Sequence, residues 1–442
     1  MHNQPFSIFQ PAEFLLPDNT DLQKWAVIAC DQHTSEPEYW QNISDLVGSS
    51  PSTLRMMIPE HLYTEPDLPE RIRSTHDSMA SYLEQGLFRT ISPCYIYIER
   101  TLSNGKIRRG ILGAIDLEQY DYHADSSAMI RATEGTVAEK LPARITIRTG
   151  APLELSHVMV LADDPKQLLL DPLTAQKDSM ELLYDFPLME GGGHIRGYRA
   201  DGAFAEHIAS VLARFADPDY FNQRYSLKGQ APMVLATGDG NHSLATAKAR
   251  WETIKTGLTE EARQTHPARF SMVELINIHD PALEFEPINR MVFDTDPEAL
   301  LQGLLEFYPG SYLTEDPGEI AWRLQDGGHS ASNAENHRIR YAFGSTTGQV
   351  VIPKESAVLA IGALSHFLDS WLPSHGGKLD FVHDNHVILR LSRKPGAIGF
   401  ILPAINKTRF FPSIIADGSL PRKTFSMGFA SDKRYYLECR KL

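Results

Sequence analysis

Within the stretch ATGDGNHSLATAKARW (236–251), Gly238, Asp239, Gly240, Asn241, His242 and Ser243 lead directly into a helical pattern. The first turn of a helix leaves backbone N–H groups without partners, and the helix dipole adds partial positive charge there, so an anion such as phosphate is the natural ligand. Glycines at 238 and 240 let a ligand approach the backbone. Asp239 has the chemistry to coordinate Mg²⁺ or act as a base, and His242 to donate to a phosphate oxygen. The same residues also suit a plain helix start, with Asp239 or Asn241 as cap. The spacing matches neither GxxxxGK[ST] nor GxGxxG.

Two further stretches carry candidate chemistry. RATEGTVAEKLPARITIR (131–148) gathers Arg131, Lys140, Arg144 and Arg148 around Glu134 and Glu139. Arginine suits bidentate phosphate contacts, although i,i+4 pairs on a solvated helix face would give the same composition. WAVIACDQHTSEPEYW (25–40) reads as an apolar strand ending at Asp31, Gln32 and His33, followed by a helix start at Ser35-Glu36-Pro37. Polar residues at the carboxyl end of a strand sit where ligands bind in open α/β sheets. LPRKTFSMG (420–428) offers Lys423 for anion capture or as part of a basic edge. GGGHIRGYR (191–199) suits a hairpin tip or an anion nest, and His383 with His386 lacks a third metal ligand nearby.

The elements that must position these residues follow from periodicity. CYIYIERTL and IRRGILGAIDL flank SNGK, a hairpin signal in which Asn-Gly tolerates the positive φ of a primed turn. LSHVMVLADD (155–164) reads as a strand, AFAEHIASVLARF (203–215) as an amphipathic helix, and MEGGGHIRGYRA (189–200) as a second hairpin. PMVLATG, LATAKARWETIKTG and RFSMVELINI form strand, helix and strand, the spacing of a βαβ crossover with two parallel strands. Beyond about residue 296, AVLAIGALSHFLDSWL reads as a helix, NHVILRL and AIGFILP as short strands, and DGGHSASNAENHR (326–338) as an exposed loop or insertion. The class is therefore α/β or mixed α+β, with mixed sheets and at least one βαβ unit. We expect a phosphate-binding core over 1–295 and a C-terminal region over 296–442 packing on it, with a single full-length domain as the alternative.

Composition narrows the function. With 442 residues, 42% hydrophobic and 22% charged, the chain is that of an ordinary globular protein. A net charge of -14 argues against nucleic acid, so any phosphate compound must meet a local cluster of positive groups or a metal. No apolar run reaches the roughly 18 residues of a membrane span, and the N-terminus lacks the basic and apolar regions of a secretory signal. Cys30, Cys94 and Cys439 form no metal spacing and fit a reducing, cytoplasmic setting. Nothing in the sequence sets an oligomeric state.

Taken together, the stretches WAVIACDQHTSEPEYW, RATEGTVAEKLPAR, ATGDGNHSLATAKA, LEFEPINRMV and LPRKTFSMG resemble, in order, segments of the bacterial domain-of-unknown-function-1015 family. The resemblance spans nearly the whole chain. Its most specific part is the turn at 239–243, which in the family usually reads Asp-Gly-His-His-Arg and is similar to that of free-serine kinases of the ParB and sulfiredoxin-like superfamily. The resemblance implies a ParB/sulfiredoxin-like core with additional C-terminal elements. It also implies a phosphotransferase acting on a small hydroxyl compound, with free L-serine as the leading acceptor and ATP, ADP or pyrophosphate as donor. Asp239, Gly240 and His242 match the turn, while Asn241 and Ser243 depart from it, and Ser243 stands where the turn usually carries arginine.

On this reading the amides and side chains of Gly238, Gly240, Asn241 and Ser243 cradle the donor phosphate, and Arg144, Arg148, Lys248 or Lys423 supply charge. Asp239 holds Mg²⁺, His242 assists, and Asp31 or Glu134 takes the proton of the acceptor hydroxyl. The other reading is a non-catalytic or regulatory protein that binds a nucleotide or phosphorylated metabolite, for which the missing arginine matters less.

Overall fold

A computed structural model of the 442-residue chain describes residues 8–316, 336–428 and 430–442. Most of the expected loop at 326–338 lies outside the described residues. The chain divides into two compact units, one of residues 1–283 with 428–442 and the other of residues 284–427.

In chain order, the first unit carries β1 (Phe9–Gln10), β2 (Ala12–Pro17), α1 (Pro37–Val47), α2 (Leu68–Glu84), β3 (Phe88–Thr101), β4 (Ile107–Asp116), β5 (Tyr120–Asp121), β6 (Ile130–Arg131) and α3 (Leu141–Arg148). Next come β7 (Leu153–Glu154), β8 (Met159–Ala162), α4 (Asp171–Ala175), β9 (Glu181–Pro187), β10 (His194–Ala200), α5 (Ala203–Phe215), α6 (Pro218–Tyr225), β11 (Leu235–Asp239), α7 (Asn241–Lys255), α8 (Glu260–Thr265) and β12 (Phe270–Asn277). The main sheet is mixed and runs β5-β6-β11-β8-β12-β4-β3-β10-β9, with β1 against β4 and β2 against β3.

The alternation in β3, β4 and β12 shows why the sheet is covered on both faces. Tyr95, Tyr97, Ile111, Val273 and Leu275 enter one core cluster with Leu212 of α5 and Trp251 of α7. Their strand neighbours Ile96, Ile98, Leu112 and Met272 enter a second cluster with Trp25, Phe14 and Leu437. A period of two sends successive side chains to opposite faces, so strands buried on both read as nearly continuous apolar runs. The turn between β3 and β4 differs from the primed type, because Gly105 takes a positive φ of 80° whereas Asn104 does not. The side chain of Asn104 instead accepts a bond from the Lys106 amide.

Two sequence readings in this unit need correction. WAVIAC is buried but is not a sheet strand, and its regular pairing is a single bridge from Ile28 to Arg434. Its backbone partners lie partly in the C-terminal tail, where Ala29 N–H donates to the Lys433 carbonyl and Tyr435 N–H to that of Val27, while the Thr53 and Glu60 amides donate to the carbonyls of Trp25 and Cys30. The strands flanking α7 are also not parallel to each other. β11 runs antiparallel to β8 and β12 parallel to it, so both flank β8 in opposite directions. Parallel neighbours with helical segments between them do occur, β6 with β11 and β8 with β12.

The second unit carries β13 (Phe285–Pro287), β14 (Asn289–Phe293), α9 (Pro297–Phe307), β15 (Tyr312–Glu315), β16 (His337–Phe343), β17 (Thr346–Ile352), α10 (Ala360–His375), β18 (Lys378–Val382), α11 (Asn385–Leu391), β19 (Ile398–Ile401), α12 (Lys407–Asp417) and β20 (Phe425–Met427). Its antiparallel sheet runs β15-β17-β16-β19-β14-β18, with β13 and β20 paired separately. NHVILRL is helix α11 rather than a strand, because Asp384 caps it by accepting from the His386 amide, and Ile388 packs beneath Gly399. Seven mostly apolar residues cannot separate the two states by periodicity alone.

Candidate functional site

The site grows from the end of β11. The β11–β8 register slips between Thr237 and Asp239, leaving Gly238 as a bulge. Such an extra residue bends the strand end and re-aims the residues beyond it. Gly240 then takes a left-handed φ of 75° and starts α7 with no side-chain cap. Neither Asp239 nor Asn241 caps the helix, as the plain reading would have it. Asp239 Oδ1 accepts from the Gly240 amide at 2.8 Å, and Asn241 Oδ1 accepts from the Thr237 hydroxyl. The first-turn amides of α7 thus lack the side-chain oxygen that most helix starts supply.

Two positive groups stand beside this turn, and neither was among the candidates read from the sequence. Lys433 of the tail places Nζ 3.3 Å from Asp239 Oδ2, with both side chains 17% exposed. Burial works against the Lys433 charge, but Asp239, Asp31 and Glu134 together raise its pKa. His157, just ahead of β8 and 7% exposed, places Nε2 3.1 Å from the Ser243 hydroxyl. Burial would lower its pKa, yet a hydrogen bond with Cys30 and the charges of Asp31 and Asp239 push it up to about 9. These neighbours favour its imidazolium form. The only local sign of it in the sequence was a histidine opening an apolar run. Lys433 lay in a short charged tail with no motif.

The carboxylates divide by environment. Burial acts to raise Asp31, but His157, a 3.0 Å bond from Gln32 and Lys433 hold it below its ordinary value. Glu134 follows β6 and adds to the field at Lys433. His242 behaves oppositely to His157. Burial and the nearby Arg144 and Lys140 lower its pKa, and its Nε2 lies 3.4 Å from the Val137 amide. A neutral ring accepting at Nε2 carries its proton on Nδ1.

Arg144 and Arg148 are both engaged by carboxylates. Arg144 pairs with Glu60 at 2.7 Å and lies over the Tyr63 ring, and Arg148 pairs with buried Glu154 at 2.6 Å. Glu154 also receives Arg440 at 3.0 Å and the Ser271 hydroxyl at 2.9 Å, and these partners outweigh burial to bring its pKa down to about 2. Lys423 belongs to the second unit, where its ammonium lies over Phe381. Arg290, also in that unit, donates to the carbonyls of Ile288, Arg422 and Lys423.

A cavity of about 120 Å³ opens beside the first turn of α7, touching Cys30, Tyr63, Arg144, His157, Ser243 and Tyr435. Among the described residues, no three His, Cys, Asp or Glu side chains gather as a metal site. Mg²⁺ is commonly held by one or two carboxylates plus phosphate oxygens and water, and Asp31 and Asp239 offer that number. Among the described residues no helix is long and apolar enough to cross a membrane.

The family profile described as "Protein of unknown function (DUF1015)" matches residues 10–371. No curated protein matches the chain. Among solved structures, the chain is similar to a free serine kinase in complex with AMP (12% identity, TM-score 0.37, covering 74% of this chain and 90% of that one). It is also similar to a conserved hypothetical protein from Pyrococcus furiosus (12%, 0.33, 72% and 90%) and to SbnI with C-terminal truncation from Staphylococcus aureus (8%, 0.36, 72% and 82%).

Proposed function

The chain belongs to the DUF1015 family of proteins of unknown function, and we propose that it is a phosphotransferase acting on a small hydroxyl compound. The observation that carries this reading is the start of α7, which lacks a side-chain cap, flanked by the Lys433 ammonium and the His157 imidazolium. Phosphoryl transfer asks mainly for positioning and offset of negative charge, which such a constellation offers in an otherwise acidic protein.

In this reading the amides of Asn241, His242 and Ser243 hold the donor's terminal phosphate, with Gly238 and Gly240 leaving the backbone open to it. Lys433 and His157 supply the charge that an arginine at 243 would otherwise bring. Arg144 and Arg148, each already paired, line the adjoining wall. The acceptor oxygen attacks phosphorus, the bond to the donor's bridging oxygen breaks, and the hydroxyl proton passes to a carboxylate. Glu134 is the better candidate base, since Asp31 is held below its ordinary value and is correspondingly a weaker one. Asp31 and Asp239 would hold Mg²⁺, which when bound offsets charge on the donor oxygens. Neutral His242, with its proton on Nδ1, orients groups at the turn. A nucleotide or pyrophosphate is the donor class that fits the cradle, and free L-serine is one acceptor within the class.

The test is phosphate transfer from ATP, ADP or pyrophosphate with Mg²⁺ to a panel of small alcohols and hydroxy acids, read by phosphorus NMR. Transfer to at least one acceptor, abolished by Asp239→Asn, is expected. The engagement of Asp239 by Lys433 favours a second reading, a phosphometabolite sensor without turnover. Tight ligand binding with no product for any donor would establish that reading and end the first.

A further inference from the structure

The cavity beside α7 has a wall that the phosphate chemistry does not explain. Besides its polar end at His157, Ser243 and Arg144, it is lined by Met56, Met57, Ile58, Met79, Leu153 and Leu155. Three thioethers and three branched aliphatic chains make a water-poor surface, and methionine adapts its shape to an apolar guest. Its guanidinium groups are those of Arg144 and Arg148. The carboxylates that pair with the two arginines, Glu60 and Glu154, lie outside the lining.

Size limits the guest. A cavity of about 150 Å³ holds a benzene-sized molecule, so one of about 120 Å³ takes roughly five non-hydrogen atoms, enough for the carbon chain of a short acid whose carboxylate sits at the polar end. An ammonium placed there would meet cationic side chains and thioethers, whereas a carboxylate would meet the cations with its alkyl part against the methionines. We propose that this cavity binds a short aliphatic hydroxy acid lacking an amino group, which would be the acceptor of the transfer proposed above. The inference rests on that reading for the guest's fate but not for its binding.

Calorimetry on the full chain, without donor, tests it. Propanoate, butanoate, pentanoate and octanoate are titrated first, then 2-hydroxybutanoate against L-serine. Affinity is expected to rise about threefold to fourfold per added methylene up to pentanoate, the increment for burying one such group, and to drop at octanoate, which outgrows the cavity. 2-Hydroxybutanoate is expected to bind at least tenfold more tightly than L-serine. Affinity that does not change with chain length, or L-serine binding as tightly as the amino-free acid, overturns the proposal. Met79→Trp, which fills the cavity, should weaken pentanoate at least tenfold, and if that variant does not fold the wild-type chain-length series alone decides. 2-Hydroxybutanoate that binds in the expected order, yet gains no phosphate once donor and Mg²⁺ are supplied, would sink the transfer reading and leave the binding inference standing.

Discussion

At the scale of the residue, the site combines charges that balance one another before any ligand arrives. Lys433 sits between Asp239, Asp31 and Glu134, so its removal should act on both fold and function. Lys433→Met leaves Asp239 facing a half-buried space without its cation. A destabilisation of about 1–2 kcal/mol is expected, less than for a fully buried pair because both groups keep some solvent. The double variant Lys433→Met with Asp239→Asn should recover most of that stability in urea titrations but still bind pyrophosphate at least tenfold more weakly. Recovery of binding would mean that Lys433 only serves Asp239. His157 gives a pH signature. Its folded-state pKa of about 9 lies above the ordinary 6.5, so its contribution to stability is fully present below about pH 6.5 and is lost as pH rises through about 9. Pyrophosphate affinity should fall over the same alkaline limb, and His157→Gln should flatten the profile. At this scale the sequence disclosed the polar residues of one local turn and those at the end of WAVIAC, but not their counter-charges. His157 and Lys433 lie far from the turn in sequence, and a lone histidine or lysine carries no local pattern that marks it.

At the scale of the element, the decisive feature is how β11 hands over to α7. Gly240 lies at φ 75°, a region that side chains other than glycine enter at a cost, and a Cβ there would sit 3.0 Å from Val158 Cγ2 and 3.1 Å from its Cα. Gly240→Ala should therefore destabilise by roughly 1–3 kcal/mol and tilt the first-turn amides of α7. Measured by chemical denaturation and by pyrophosphate titration, both stability and affinity should drop. A variant with full affinity would show that these amides do not hold the anion. The hairpins, α5, α7 and β12 were legible because their periodicity is long and regular. The errors share one physical cause, that short apolar runs do not encode their partners. WAVIAC looks like a sheet strand yet pairs with the tail, NHVILRL looks like a strand yet is capped into a helix by Asp384, and β11 and β12 are separated by β8. Direction within a sheet depends on which strand intervenes, and that is decided outside the strand–helix–strand segment itself.

At the scale of the molecule, the tail from residue 428 closes on the first unit and delivers more than Lys433. Trp25 Nε1 donates to the Leu437 carbonyl at 2.9 Å, Tyr436 to that of Val158 at 2.8 Å, and Arg440 reaches Glu154. Such closure leaves no trace in local composition, which is why the mixed α/β class could be read and the tail's role could not. The tail also buries Glu438, whose carboxyl faces the equally buried Tyr184 hydroxyl. Burial, with Glu274 adding like charge, pushes its pKa up to about 7. A carboxyl raised in the folded state favours folding while protonated. Its contribution is present below the ordinary value of 4.5 and is lost as pH rises through about 7, the reverse of Glu154, whose contribution is present above 4.5 and is lost as pH falls through about 2. Glu438→Gln removes the ionisation. It should stabilise the protein at pH 8 by up to about 3 kcal/mol, the free energy of such a shift, and by much less at pH 5. Urea midpoints at the two values decide the matter, since an equal gain at both would attribute the effect to packing and not to a carboxylate forced to ionise inside the fold.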